Sequence, residues 1–124
     1  MTTQFKAGFD VSVKQLADYT LVKISGAPSI EQMLSLAHLM GVDSGGWAHD
    51  CAMVDLRDVA TPFTPEQQFA LGREVAASLA HMRKIASVVP PTRVTHISER
   101  AARREGTNLQ VFDAVEAAIE WLKA

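Results

Sequence analysis

Between Asp55 and Thr64 the chain reads Asp-Leu-Arg-Asp-Val-Ala-Thr-Pro-Phe-Thr, its densest run of groups capable of chemistry. Asp55, Arg57 and Asp58 place two carboxylates and a guanidinium within four residues, enough for an acid–base site or for a cation held in a turn. A metal normally asks for more ligands, and none follows at a suitable spacing, so an ion pair that stabilises a turn explains these charges more simply. Phe63 adds an apolar contact. Thr64 precedes Pro65-Glu66-Gln67, the pattern of a capped helix start. Its hydroxyl could accept a phosphoryl group, whose charge a helix amino terminus favours, or act only as the cap. Asp55, Arg57, Asp58, Phe63 and Thr64 together form the candidate ligand- or partner-binding segment, with Thr64 the candidate phosphoacceptor.

A second charged feature lies further on. Arg93, His96, Arg100, Arg103 and Arg104 recur three or four apart and would line one helix face as a positive stripe, open to an acidic partner or a phosphate-bearing ligand. Glu99 and Glu105 interrupt it, and a solvated face is the simpler expectation. The four histidines, His38, His49, His81 and His96, are scattered, and none stands in a zinc-binding pattern with Cys51. Neither a Gly-x-Ser-x-Gly elbow nor a glycine-rich phosphate loop occurs. No catalytic residue, metal or cofactor is therefore expected, and the chain reads as non-enzymatic, with an unrecognised enzyme as a third reading behind two binding roles.

The elements that must hold these groups follow from periodicity. Phe9 to Leu16 alternates apolar and polar residues, as a strand with one wet face does, and Tyr19 to Ser25 returns antiparallel after a turn at Ala17-Asp18. Ser29-Ile30-Glu31-Gln32 is a capping box for a helix to about Met40, whose apolar residues cover more than one face. Trp47 falls in a glycine-containing loop, and Cys51 to Leu56 is a buried central strand. A helix from Thr64 to about Met82 precedes the strand Lys84 to Val89, which Pro90-Pro91 stops. A third helix carries Val94, Ile97 and Ala101 on one face and closes at Gly106. Leu109 to Phe112 is a short strand, and Asp113 with Glu116 caps a last helix through Trp121 and Leu122. The order β-β-α-β-α-β-α-β-α predicts an α/β fold, a mixed sheet with an amino-terminal antiparallel hairpin and otherwise parallel strands.

Residues 1–124 suit one domain, and 48% hydrophobic against 21% charged residues is globular rather than disordered. A net charge of −2 gives no global field for nucleic acid or an anionic membrane. No run approaches the ~18 apolar residues of a membrane span, and no secretory leader is visible at the amino terminus. One cysteine, in an apolar run, suits a reducing compartment, so a soluble cytoplasmic protein is the expectation.

In this order, the strand pair ending Ser25-Gly26, the segment Met53-Val54-Asp55-Leu56-Arg57-Asp58-Val59, the strand Lys84 to Val89 and the closing Val111-Phe112-Asp113-Ala114 through Trp121-Leu122 resemble the SpoIIAA-like branch of the STAS domains. The resemblance covers nearly the whole chain and implies a single STAS-like domain. It also implies a regulatory interaction module, in which a serine at the start of the helix after the central strand is phosphorylated. Thr64 is the nearest position here, and Thr61-Pro62-Phe63-Thr64-Pro65 departs from the family's Asp-Ser pair. A likeness of this fold to CRAL-TRIO lipid-binding domains implies the alternative of a small carrier or sensor for an apolar or lipid-like ligand, held between the sheet and the first two helices. A homodimer with a protein or small-ligand partner is the expected assembly.

Overall fold

The computed structural model describes residues 2–5 and 8–124, the first four by backbone alone. Six strands and four helices follow one another: β1 (Thr2–Phe5), β2 (Phe9–Gln15), β3 (Thr20–Gly26), α1 (Ile30–Asp43), β4 (Cys51–Val59), α2 (Pro65–Ser78), β5 (Lys84–Val88), α3 (Ile97–Arg104), β6 (Leu109–Phe112) and α4 (Val115–Lys123). They form one sheet in sequential order, β1-β2-β3-β4-β5-β6. The first three strands are an antiparallel meander, and β3 to β6 run parallel. The α/β class and the mixed sheet agree with the sequence. β1 is additional, because Thr-Thr-Gln-Phe is too short and too polar to show a period.

When parallel neighbours follow in sequence, right-handed crossovers put every connecting helix on the same side of the sheet. Accordingly Met33, Leu36 and Met40 of α1, Ala76 of α2 and Ala102 of α3 share a core with Val22, Ile24, Ala52 and Ile85. Among the described residues the opposite face is covered by α4, whose Ala118 and Leu122 pack on Cys51, Met53, Ala86 and Val88. Ring edges finish that side: Trp121 lies 5.6 Å from Phe112, and the Lys84 ammonium sits 5.2 Å above its ring.

Both expected capping boxes form, at Ser29 with Gln32 and at Thr64 with Gln67. Several boundaries differ from expectation. β4 runs to Val59 rather than ending at Leu56, so Asp55, Arg57 and Asp58 lie within the strand and not in a turn. α2 stops at Ser78, because the chain turns to bury Leu79 and Met82. α3 starts only at Ile97, because Pro91–Arg93 is a 3-10 turn and His96 takes a left-handed backbone, φ 61°, that no helix can include. Asp113 does not cap α4: Ala114 holds that position without a side-chain bond, so the expected cap is corrected.

α2 and α3 meet closely at Gly72, where a Cβ would run into the Ser98 backbone. That approach brings the start of α3 over the carboxyl ends of β4 and β5.

Candidate functional site

A cleft of about 270 Å³ opens at the carboxyl ends of the parallel strands, where sheets of this kind tend to take ligands. Its walls are Leu56 and Val59 of β4, Phe63 in the following loop, Leu71 of α2, Val89 and Pro90 after β5, and His96 and Ser98 at the start of α3. Deeper in the core lies a smaller cavity of about 60 Å³, lined by Ile24, Leu36, Val75, Leu79, Ile85 and Leu109. Met33, Leu56, Leu71, Ser87 and Ser98 line both spaces, so the two adjoin.

A bulge in β4 sets this wall. Lys23 of β3 pairs with Asp55 and Ser25 with Asp58, so two residues, Leu56 and Arg57, stand opposite Ile24 alone. The extra residue lets both Leu56 and Val59 reach the cleft. It also leaves Asp55 and Asp58 on the other face of the sheet, where Asp58 lies 3.6 Å from Lys23.

The expected segment therefore divides. Phe63 lines the cleft, whereas Asp55, Arg57 and Asp58 do not. Buried Asp55 takes two bonds from the Arg57 guanidinium, Nε at 2.9 Å and Nη2 at 2.8 Å, and one from its backbone N–H at 3.1 Å. The side-chain bonds from Arg57 hold the Asp55 carboxyl below the usual carboxylate range, against the opposing effect of its burial. A carboxylate so engaged is a structural partner rather than a base. Thr64 is exposed, and its hydroxyl accepts the Gln67 N–H at 3.2 Å.

The basic stripe also divides. Arg93 lies before α3, and its guanidinium turns back onto the carbonyls of Val59 and Ala60, fastening the loop that carries Phe63. On the far side of the same loop, Thr61 donates to Pro28 O at 2.7 Å. Arg103 donates to Leu109 O at 3.0 Å. Arg100 and Arg104 remain exposed on the helix.

Of the histidines, only His96 reaches the cleft, with Nδ1 3.2 Å from Glu99. His81 meets Ser44 at 2.7 Å at the opposite end of the sheet, but the buried Ser44 hydroxyl also lies 2.9 Å from Gly41 O and is spoken for. Among the described residues no cluster of histidine, cysteine or carboxylate could hold a metal ion. No helix among them is long and apolar enough to cross a membrane. Cys51 is buried, and desolvation raises its thiol above the ordinary value.

Sequence reasoning did not single out Ser87 or Ser98. The legible signal was Ser87 itself, a hydroxyl in the otherwise apolar run Ile85-Ala86-Ser87-Val88-Val89 at a position whose parity points into the core.

No family model matches the sequence, and no curated protein matches it. Solved structures of similar fold include the following two. An anti-sigma factor antagonist from Mycobacterium paratuberculosis superposes with a TM-score of 0.66 over 98% of this chain and 100% of that one, at 11% identity. An uncharacterised protein with a SpoIIAA-like fold from Shewanella loihica gives 0.52 over 93% and 94%, at 16% identity. The chain thus has a SpoIIAA-like fold, and at these identities the likeness speaks for fold alone.

Proposed function

We propose that this chain is a non-enzymatic binding module that takes a small, largely apolar molecule into the cleft between β4, β5, α2 and the start of α3, acting as a carrier or sensor in the cytoplasm. The observation that carries this reading is the junction of the two spaces through Met33, Leu56, Leu71, Ser87 and Ser98. An apolar volume that opens to solvent through a partly polar mouth is the usual form of a small-molecule site. The charged and ionisable groups of the mouth are bonded to the protein itself, Arg93 to carbonyls and His96 to Glu99, and Thr95 is bonded to Gln68. Little is left to polarise a reacting bond.

Shift mapping of the amide spectrum with 1-hexanol tests the reading. Movements should gather at Leu56, Phe63, Leu71, Ser87 and Val89, and Leu71→Phe should abolish them. Scattered movements, or ones insensitive to Leu71→Phe, would remove it.

A second reading, a regulatory module that binds a protein, is favoured by the outer face of α1, where Leu39 is 54% and Val42 73% exposed. One neighbour in fold is an anti-sigma factor antagonist. In this reading α1 supports a homodimer or a partner, and the exposed Thr64 hydroxyl is the phosphoacceptor. Leu39→Glu with Val42→Glu should convert a dimer to a monomer in light scattering. An unchanged mass would withdraw α1 as the interface.

A further inference from the structure

We infer that Ser87, with Ser98 facing the same space, is a polar anchor inside the apolar cleft, and that the ligand is a neutral molecule carrying one hydroxyl or carbonyl oxygen on an aliphatic body. This rests on the ligand-binding reading above. Five polar residues of the described chain are buried: Thr20, Ser44, Asp55, Ser87 and Thr107. Four of them are bonded through their side chains, Thr20 to Gln15, Ser44 to Gly41 O and His81, Asp55 to Arg57, and Thr107 to Ala76 O. Ser87 is the exception. It is 8% exposed, and no side chain or backbone group of the described protein bonds its hydroxyl. On the sheet its neighbours are Val54 of β4 and Val111 of β6, neither with a side-chain polar group.

A hydroxyl with no protein partner adds nothing to an apolar wall, and alanine or valine would suit a buried parallel strand better. Since no side-chain polar atom among the described residues is both sealed from water-sized space and unpaired, the Ser87 hydroxyl must open onto the space it lines. Ser98, half-buried on α3 and likewise unbonded, lines the same two spaces. The hydroxyls therefore stand where the cleft passes into the inner cavity.

The chemistry of the guest follows from what is free there. A serine both donates and accepts, so it serves an alcohol or a carbonyl equally. A carboxylate is disfavoured, because no free cation waits at that depth and an unpaired buried charge is expensive. Arg93, the guanidinium of the cleft, is committed to backbone carbonyls. The inner cavity of about 60 Å³ holds about four times the space that a single water-sized sphere needs, which suits a few carbon atoms of the body.

Titrations of wild type, Ser87→Ala and Ser98→Ala with 1-hexanol and with n-hexane, followed through the Leu71 and Val89 amides, separate the possibilities. Ser87→Ala should weaken 1-hexanol about three- to tenfold, the range of one hydrogen bond. It should leave n-hexane unchanged or slightly tighter, and Ser98→Ala should act in the same sense to a smaller degree. If both probes bind the cleft and neither serine variant alters the ratio of their affinities, the polar anchor is wrong while the binding reading stands. If neither probe moves the cleft amides of a folded protein, the binding reading fails and the anchor with it.

Discussion

The hydroxyl of Ser87 lies between Val54 and Val111 with no partner in the protein and opens onto space that water can fill. Ser87→Ala is therefore expected to leave the unfolding free energy of the ligand-free fold within about 0.5 kcal/mol of wild type in a urea titration. A loss of about 1 kcal/mol or more would mean that the hydroxyl is bonded within the protein. Asp55 is the opposite case, buried and fully paired by Arg57. Its carboxyl is held below the ordinary value, so its stabilising effect is complete above the unfolded value near ~3.9 and is lost as the pH falls through the lower folded one. Arg57→Ala should cost about 2 kcal/mol at neutral pH, and the gap to wild type should narrow as the pH falls from 7 to 3, because an Asp55 carboxyl left buried without its guanidinium is protonated more readily; urea midpoints across that range would record both. At this scale the sequence is partly legible. An ion pair between Asp55 and Arg57 is legible from their spacing, although it lies within β4 and not in the expected turn, and the Thr64 cap follows from Pro65 and Gln67. That Asp55 and Phe63 serve opposite faces depends on a bulge opposite Ile24, which no local pattern announces.

Between elements, the approach of α2 to α3 depends on the missing side chain at Gly72. Gly72→Ala drives a Cβ against the Ser98 backbone and should cost about 1–3 kcal/mol, with loss of 1-hexanol binding as the start of α3 lifts from the cleft. A variant of wild-type stability would contradict that packing. Thr64→Ala removes an observed capping bond and should cost about 1 kcal/mol in the same assay. The helices with capping boxes and the strands with clear alternation are legible because each is specified within a few residues. The start of α3 is not. Arg93, His96 and Arg100 are spaced for a helix, but Pro90-Pro91 and the left-handed His96 keep the first two outside it, which turns Arg93 from a member of a surface stripe into a clasp on the β4–α2 loop. Asp113 fails as a cap for a similar reason: α4 starts two residues later, behind Ala114.

The whole molecule divides its two faces between three helices and one. Sequential parallel strands oblige α1, α2 and α3 to crowd one side, and the gap at their meeting point over the strand ends is the cleft. The order of elements makes the fold readable from the amino-acid pattern, and the likeness to solved proteins of 11% and 16% identity shows how little residue identity that fold requires. The cleft itself is readable only as a region, since its walls come from residues far apart in sequence. A guest in that space would add contacts that only the folded state makes, so ligand and fold should be lost together. The most direct measurement is a native mass spectrum of the protein recovered from its own cells, beside that of Leu71→Phe. The wild type should carry a reproducible neutral adduct of small mass, released on mild denaturation and missing from the variant. A wild-type protein carrying nothing, or an adduct that Leu71→Phe retains, would contradict the ligand-binding reading.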